Sequence, residues 1–167
     1  ELGHAVGIQA KIDTGDHPPI RSKPYRTPLN NFKLLDTAIN DMLEANIISR
    51  SRSYWSAPCI LVDKGDKTKR FCIDYRKINR VIKNNVQISL PLIDDILAVL
   101  GNAQYFSTLD LKSGYWQIGL DKEDKCKTAF ICHKGLYEFN VLPFGLSIAP
   151  SIFMELMNKV LDGCESF

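Results

Sequence analysis

Apolar residues return at helical spacing over a long stretch in the first half of the chain. Between Phe32 and Ile47 they recur every three or four positions, which is the spacing of one helical face. This pattern predicts a helix over residues 28–46. Thr27-Pro28 in front of it is typical of an N-cap followed by proline at the first helical position.

Two further helices are predicted from end signals and spacing. Pro91 opens the second, which runs over residues 91–100 and is closed by Gly101. The third begins at Ser147 or Pro150, because apolar side chains follow at helical spacing. Its apolar positions are Ile152, Phe153, Leu156, Met157, Val160 and Leu161.

Short apolar runs predict five strands. They lie at residues 58–62, 70–74, 105–111, 129–132 and 137–142. The turn sequence Lys64-Gly65-Asp66-Lys67 joins the first two into a hairpin with a basic tip. His133-Lys134-Gly135 joins the last two into a second hairpin, and the single strand between the hairpins carries Asp110 near its end.

The order of these elements favours an α+β fold. Helix, hairpin, helix, strand, hairpin and helix follow one another, so strands and helices do not alternate strictly. This order favours a mixed or antiparallel sheet over a doubly wound parallel one. Residues 1–27 are rich in proline and glycine and predict an extended arm or linker. The 167 residues have the length of about one domain.

Charge is divided unevenly along the chain. Residues 1–83 carry 15 Lys/Arg and 9 Asp/Glu, whereas the remainder carries 6 and 10. Residues 64–83 hold eight basic and two acidic side chains. A basic lobe beside an acidic one suits a phosphate-bearing partner held near metal-binding carboxylates. Lys64, Arg70 and Arg76 are candidates to bind phosphate. A solvated basic hairpin without a partner is the alternative.

Several classes of site and segment are not supported. The five cysteines lack the spacing of a zinc site, and their odd number favours reduced thiols in an intracellular protein. The motifs of P-loop proteins, dinucleotide-binding proteins, zinc proteases and serine hydrolases do not occur. We expect no transmembrane helix and no signal peptide, since no apolar run has the required length or flanks.

Asp110 is the strongest candidate for chemistry. It ends an apolar strand and precedes the turn Lys112–Tyr115, so we expect its carboxylate at the lip of a sheet. A carboxylate there can hold Mg²⁺, and the backbone amides of the turn can bind phosphate. The alternative is a turn aspartate that caps its own backbone. Asp94-Asp95 is not a paired site, because consecutive helix residues point about 100° apart.

Five motifs stand in order along the chain. They are Phe71–Asn79, Leu90–Leu97, Tyr105–Ile118, Lys127–Phe130 and Leu142–Pro150. In order and spacing they resemble reverse transcriptases of long-terminal-repeat retrotransposons of the Ty3/gypsy type. The resemblance runs from about Thr14 to the end, and five ordered motifs are more specific than any one of them.

The resemblance implies a right-hand polymerase that copies RNA into DNA by two-metal nucleotidyl transfer. After the arm at 1–27, residues 28–90 would form the fingers and residues 91–167 part of the palm. The implied partners are an RNA or DNA template with its primer, dNTPs and the remainder of a Pol polyprotein, including the thumb and RNase H. The implied setting is intracellular, in a cytoplasmic virus-like particle or the nucleus, with no membrane.

The resemblance also implies roles for individual residues. Asp110 would be catalytic and, with the backbone carbonyl of Leu111, would hold two Mg²⁺ ions, Mn²⁺ being the alternative. Tyr115 would reject a ribose 2′-OH. The implied dNTP-binding residues are Lys64, Arg70, Lys112, Ser113, Gly114, Tyr115 and Phe144. The implied template and primer contacts are Arg76, Asn79, Gly145 and Pro150. A strict count from Arg70 reaches Asp63, which leaves the register of Lys64 open.

The chain departs from the family pattern in three places. Trp116 stands where histidine is usual, and Ile148 stands where asparagine is usual. The Tyr-x-Asp-Asp turn, which carries the other two metal-binding aspartates, lies beyond Phe167 in the family. We therefore predict that these 167 residues alone are inactive, and that exposed palm surface promotes self-association. A non-catalytic relic or domesticated fragment that binds nucleic acid or protein is the alternative function.

Overall fold

A computed structural model describes residues 3–65, 68–83, 92–101 and 103–163. The helices in these residues are α1 (Phe32–Glu44), α2 (Arg76–Asn79), α3 (Ile93–Leu100) and α4 (Ala149–Leu161). The strands are β1 (Gln9–Ala10), β2 (Ile48–Arg50), β3 (Ala57–Asp63), β4 (Lys69–Ile73), β5 (Gly119–Leu120), β6 (Phe130–Cys132) and β7 (Gly135–Phe139). None of the helices described is long and apolar enough to cross a membrane.

The main sheet has five strands in the order β2-β7-β6-β3-β4. Three of its pairings are antiparallel and one, β3 with β6, is parallel. Strands β1 and β5 form a separate parallel pair. The mixed sheet predicted for an α+β fold is therefore confirmed. The predicted boundary at residue 90 separates β3 and β4 from β6 and β7 in sequence, although these strands belong to one hydrogen-bonded sheet. The division into arm, fingers and palm stays a prediction.

Both predicted hairpins form, and local sequence explains them. In the first, Val62 lies opposite Arg70 and Asp63 opposite Lys69. The side chains of β3 are buried at the start of the strand and exposed towards the turn. Polar residues suit the turn because it lies at the surface. In the second, Gly135 has a φ of +118°, a conformation that side chains with a Cβ rarely adopt.

A buried hydroxyl organises the centre of the fold. Thr128 is fully buried, and its Oγ1 donates to the Lys125 carbonyl at 2.6 Å and accepts from the Phe139 amide at 3.0 Å. The Tyr75 hydroxyl donates to the Thr128 carbonyl at 2.8 Å, and burial raises the pKa of Tyr75. The ring of Phe130 packs against those of Phe71, Tyr137 and Phe139. Strands β4, β6 and β7 are thereby joined through one core.

The N-terminal segment packs onto this core. Ala10 and Ile12 are buried, and the Ile12 amide donates to Asp124 at 2.8 Å. Lys127 donates to both Asp124 and the Ile12 carbonyl at 2.6 Å. Farther along, Ser22 is hydrogen-bonded to the backbone beside β3. The segment is thus fastened to the rest of the chain at several points while containing little regular structure.

The first helix begins later than predicted. Pro28 has an extended ψ of 143° and precedes a 3-10 turn over Leu29–Asn31, so α1 begins at Phe32. Such tighter turns are common at helix ends because they satisfy backbone groups with i→i+3 bonds. At the other end Asn46 has a φ of +55°, and the Ile47 amide donates to the Met42 carbonyl at 2.9 Å. The helix therefore ends in a Schellman arrangement around asparagine.

The second and third helices also differ from the prediction at their ends. Pro91 lies outside the described residues, and Gly101 after α3 is right-handed, with a φ of −58°, so it does not close the helix as a left-handed cap. Helix α4 begins at Ala149, between the two predicted starts, with Pro150 in its first turn.

The strand predicted at 105–111 does not form, and this prediction is wrong. These residues have no regular secondary structure and no strand partner among the described residues, and their apolar side chains are exposed. Tyr105 is 92% exposed and Leu109 is 91% exposed. An apolar run becomes a strand only when another strand accepts its backbone hydrogen bonds, and no described strand does so here.

Candidate functional site

Asp110 and Leu111 lie at the end of this irregular segment, where both are exposed. The chain then turns sharply through Ser113, which has a φ of +50°, into a 3-10 turn over Gly114–Gln117. The turn is closed by the Trp116 amide, which donates to the Ser113 carbonyl at 2.8 Å. Asp110 thus stands at the mouth of a tight turn, as expected, but on an irregular segment rather than a sheet edge.

The donors near Asp110 suit part of a divalent-metal site. Hard cations prefer oxygen ligands, and Asp110 with the Leu111 carbonyl offers oxygen of both kinds. Within the described residues, no group of three or more His, Cys, Asp and Glu side chains is placed to hold a metal. These residues therefore fit one edge of such a site and do not complete it.

The turn places Tyr115 in an aromatic pocket formed with Phe144 and Phe153. The ring centroids of Tyr115 and Phe144 are 4.9 Å apart, and those of Tyr115 and Phe153 are 5.4 Å apart. Gly114 is required for this approach, because a Cβ there would lie 2.7 Å from Cε2 of Phe153. Three of the predicted dNTP-binding residues, Gly114, Tyr115 and Phe144, are therefore brought together.

Asn79 joins the predicted template contacts to the same region. Its side-chain amide donates to the Gly145 carbonyl at 2.8 Å, and its side-chain oxygen accepts from the Ser147 amide at 2.9 Å. Gly145 has a φ of +93°, so this turn favours glycine. Phe144 and Gly145 are adjacent in the chain. The aromatic pocket of Tyr115 and the hydrogen bond from Asn79 therefore involve neighbouring residues. Pro150 is exposed in the first turn of α4.

Arg76 is exposed and is held by Asp74. Its Nε and a terminal nitrogen donate to the two carboxylate oxygens at 2.8 and 2.7 Å, and Tyr25 donates to the same carboxylate at 2.8 Å. The hydrogen bond from Arg76 and then that from Tyr25 hold the pKa of Asp74 well below its usual range, against the opposing effect of desolvation. The Arg76 pKa is raised by its hydrogen bond to Asp74. The guanidinium is thus fixed in orientation while remaining open to solvent.

The basic hairpin presents Arg70 and Lys64 at its exposed surface. Arg70 lies on β4, and Lys64 follows β3 with its amide donating to the Thr68 carbonyl at 2.7 Å. Asp63 forms an ion pair with Lys69 at 2.6 Å, whereas Lys64 has no ion pair among the residues described. Lys64 therefore offers a cation without an ion pair in the described part of the chain, and its role in binding phosphate stays a prediction.

The family model for reverse transcriptase (RNA-dependent DNA polymerase) matches residues 62–167, which is more than half of the chain. The chain belongs to this family. It is 41% identical over 162 residues to the retrovirus-related Pol polyprotein from transposon gypsy of Drosophila melanogaster, covering 93% of this chain and 16% of that protein. It is 37% identical over 144 residues to the transposon Tf2-7 polyprotein of Schizosaccharomyces pombe, covering 82% of this chain and 11% of that protein.

A solved reverse transcriptase shares the fold. The protease–reverse transcriptase of prototype foamy virus, as the selenomethionine-labelled CSH mutant, superposes with a TM-score of 0.86 at 28% identity. The match covers 98% of this chain and 22% of that one. The predicted fingers–palm fold of α+β class and the Ty3/gypsy resemblance are confirmed.

The comparisons place the chain within the reverse transcriptase domain of retroelement Pol polyproteins, of which it covers a part. It spans less than a fifth of the length of the two polyproteins above. The alternative of a relic or domesticated binding module is not favoured. Reverse transcriptases generally use divalent metal ions. The roles assigned to individual residues stay predictions.

Three residues that contact the candidate site are not among those predicted from the sequence. Tyr25 reaches Asp74 across 49 positions, and no local pattern announces such a contact. Asp74 itself carries a usable signal, because a carboxylate two residues before Arg76 can pair with it across the start of a helix. Phe153 was identified as apolar and helical, but its role in packing against Tyr115 depends on where α4 lies.

Ile148 and Trp116, the two residues that depart from the family pattern, both pack against neighbouring side chains or lie in the core. Ile148 is 5% exposed, so an apolar side chain is well accommodated before α4. Trp116 contacts Phe144 edge to face, with 5.8 Å between ring centroids, and its buried Nε1 has no hydrogen-bond partner among the described residues. Trp116 thus extends the aromatic surface beside Tyr115 at the cost of one unpaired donor.

Proposed function

We propose that this chain is the part of a retroelement reverse transcriptase that receives the incoming dNTP and the templating strand. The observation that carries the proposal is that the adjacent residues Phe144 and Gly145 have different contacts. Phe144 packs against Tyr115 in the aromatic pocket, and the carbonyl of Gly145 accepts a hydrogen bond from Asn79, which lies on the same short helix as Arg76. Nucleotide and template, which must meet for base pairing, would therefore be contacted by adjacent residues.

The proposed reaction is attack of a primer 3′-OH on the α-phosphate of a dNTP, with pyrophosphate as the leaving group. Asp110 and the Leu111 carbonyl would hold Mg²⁺, with Mn²⁺ as the alternative, and two ions in the complete enzyme. The bound metal would supply positive charge to the attacking and leaving oxygens. The backbone amides of residues 112–115 would bind the triphosphate, so the chain contributes mainly positioning and charge.

Side chains around the nucleotide would select and orient it. Arg70 and Lys64 of the exposed basic hairpin would contact the phosphates, where the planar guanidinium suits paired hydrogen bonds. The Tyr115 ring is held from two sides by Phe144 and Phe153, so it cannot move aside easily for a 2′-OH. A fixed ring at this position would favour dNTPs over ribonucleotides.

The proposed partners are an RNA or DNA template with its primer, dNTPs and the remainder of the Pol polyprotein, in an intracellular particle or the nucleus. Self-association is also proposed, because α3 and residues 105–111 expose a series of apolar side chains. The most exposed are Leu92, just before α3, Ile93 and Leu97 on the helix, and Tyr105, Phe106 and Leu109. Apolar surface of this extent favours association in water.

Binding of a labelled primer–template tests the proposal directly. We expect the 167-residue chain to bind it with an affinity that falls steeply with salt. Arg76→Gln should weaken binding several-fold, whereas Arg52→Gln, at an exposed arginine outside the site, should not. Equal affinities of the two variants, with both folded, would contradict the proposed template contact.

Primer extension tests the catalytic role. In a Pol protein that contains this chain and the segments that follow it, Asp110→Asn should abolish template-dependent extension while leaving primer–template binding within about twofold. Tyr115→Ala should raise the incorporation of ribonucleotides relative to dNTPs. Unchanged extension by the Asp110→Asn protein would refute the assignment of Asp110.

A further inference from the structure

The side chain of Gln117 closes the turn that follows Asp110, and the proposed function assigns it no role. Gln117 stands at the end of the 3-10 turn, and its side-chain amide donates to the Lys112 carbonyl at 3.0 Å. The bond joins the last residue of the turn to the first of the residues whose amides are proposed to bind the triphosphate. Gln117 therefore restrains the start of that group from the far end of the turn.

Backbone hydrogen bonds alone fix the later part of the turn. The Trp116 amide donates to the Ser113 carbonyl at 2.8 Å, and the Ile118 amide donates to the Tyr115 carbonyl at 3.0 Å. Neither bond involves the peptide group that precedes Ser113. The side chain of Gln117 supplies the hydrogen bond that holds this peptide group, so its contribution is separate from the closure of the turn by the backbone.

Holding the Lys112 carbonyl also sets the direction of the next amide. The peptide group before Ser113 is trans, and in a trans peptide the C=O and the N–H point in opposite directions. Because the carbonyl points to the Gln117 side chain, the Ser113 N–H points away from it. This amide donates to no acceptor within the residues that the structure describes. An unpaired backbone amide in a turn is available to an anion such as a phosphate oxygen.

The conformation of Ser113 shows why the peptide group needs a restraint. Its φ of +50° lies in the left-handed region, which residues other than glycine seldom occupy. Such a conformation persists where the surrounding structure determines it. Gln117 restrains the peptide group before Ser113, and the Trp116 amide restrains the one after it. Together the two bonds fix the orientation of the unpaired amide.

Gln117 is itself held by the N-terminal segment. Its backbone carbonyl accepts from the Ala5 amide at 2.7 Å. A Cβ at Gly3 would lie 3.0 Å from Oε1 of Gln117, so the N-terminal segment packs closely against this side chain. A side chain confined in this way is preorganised to hold the Lys112 carbonyl before a nucleotide binds.

We propose that Gln117 is a positioning residue for the triphosphate of the incoming nucleotide. It holds the peptide group between Lys112 and Ser113 so that the Ser113 amide can donate to a phosphate oxygen. The inference rests on the proposed function, in which the amides of residues 112–115 bind the triphosphate. Gln117 acts through this peptide group and contacts neither nucleotide nor metal, so its loss should weaken nucleotide binding and spare the chemical step.

Single-turnover incorporation of one dNTP separates nucleotide binding from chemistry. The enzyme is a Pol protein that contains this chain and the segments that follow it. Gln117→Met keeps the length of the side chain and removes the donor. We expect the apparent Kd for each dNTP to rise about 3–10-fold, the effect of one hydrogen bond. The maximal rate and the primer–template affinity should stay within about twofold of wild type.

Pyrophosphate is a sharper probe, because it carries phosphates without the sugar or the base. Its inhibition constant against dNTP incorporation should rise in Gln117→Met by a factor similar to that for the dNTP. A residue that acted only on the fold would lower the amount of active enzyme and leave both constants unchanged.

Gln9→Met is the matched control. Gln9 is exposed on β1, the strand that pairs with β5 just after the turn. The same change of side chain there should leave both constants within about twofold of wild type. If Gln117→Met fails to fold, Gln117→Glu, which also lacks a donor at neutral pH, decides the matter through the same constants. Failure of both variants to fold would assign Gln117 to the fold and overturn the inference.

Three further results would overturn the inference. Equal constants for Gln117→Met and Gln9→Met would remove it and leave the proposed function standing. A lower maximal rate with both constants unchanged would do the same, because it would assign Gln117 to stability. A wild-type enzyme that incorporates no dNTP would overturn the proposed function together with the inference.

Discussion

Replacing Gly114 with alanine is expected to destabilise the protein through the aromatic pocket. The added Cβ would lie 2.7 Å from Cε2 and 3.0 Å from Cζ of Phe153, so the ring must move. Overpacking of this kind costs about 1–3 kcal/mol. Because Phe153 is only partly buried and can shift towards solvent, we expect a loss of about 1–2 kcal/mol in the free energy of unfolding.

Urea denaturation measures this loss. With a slope of about 2 kcal/mol per molar urea, the midpoint should fall by about 0.5–1 M. Gly101→Ala is the control, since a Cβ there meets carbonyl oxygens only at 3.5 Å and 3.6 Å, which is ordinary contact. In Gly114→Ala/Phe153→Leu the smaller side chain should restore most of the lost stability. The double variant should therefore be more stable than the sum of the two single losses predicts. A Gly114→Ala midpoint equal to that of Gly101→Ala would refute the steric reasoning.

Four further predictions concern the core, the ion pair and the exposed surface. Thr128→Val should cost about 1–3 kcal/mol in urea unfolding, because it leaves the buried Phe139 amide without its acceptor. Exposed Thr37→Val should cost under about 0.5 kcal/mol, and similar losses for the two variants would count against the role of the buried hydroxyl. The lowered pKa of Asp74 contributes stability above its ordinary value of about 3.9 that disappears as pH falls through the folded value, so Asp74→Asn should flatten the acid side of the stability–pH curve, and an unchanged curve would contradict this. The 167-residue chain alone should give no primer extension with Mg²⁺ or Mn²⁺, and extension lost on Asp110→Ala would show otherwise. Sedimentation should reveal concentration-dependent association weakened by Leu97→Lys, which is 59% exposed in the wild type, and a strictly monomeric wild type would exclude it.

Local chemistry was enough to predict the hairpins. The β3–β4 and β6–β7 pairs need only two apolar runs and a turn, and both turns carry glycine where the chain reverses. The strand expected around Asp110 failed for the opposite reason. Its backbone groups need a partner strand, which a run of apolar letters cannot specify.

The site was predictable where motif order determined it and unpredictable where remote segments meet. Gly114, Tyr115 and Phe144 come together as the family resemblance implied. The contact from Tyr25 to Asp74 joins segments 49 positions apart and has no periodic signal. Helix ends were missed by a few residues because the 3-10 turn before Phe32 and the right-handed Gly101 depend on small differences in backbone energy.

The parallel pairing of β3 with β6 has a consequence for how the protein folds. Ala57 pairs with Phe130 in the middle of the sheet, and Ile48 of the edge strand β2 pairs with Phe139 of β7, so the sheet joins segments 73 and 91 positions apart. Contacts of this range raise contact order and slow folding, because loop closure must come before the stabilising contacts form. During synthesis on the ribosome, the β3–β4 hairpin could not pair with β6 until the second hairpin had been translated. The first half of the chain is therefore expected to be a client of chaperones until residues beyond 139 have emerged.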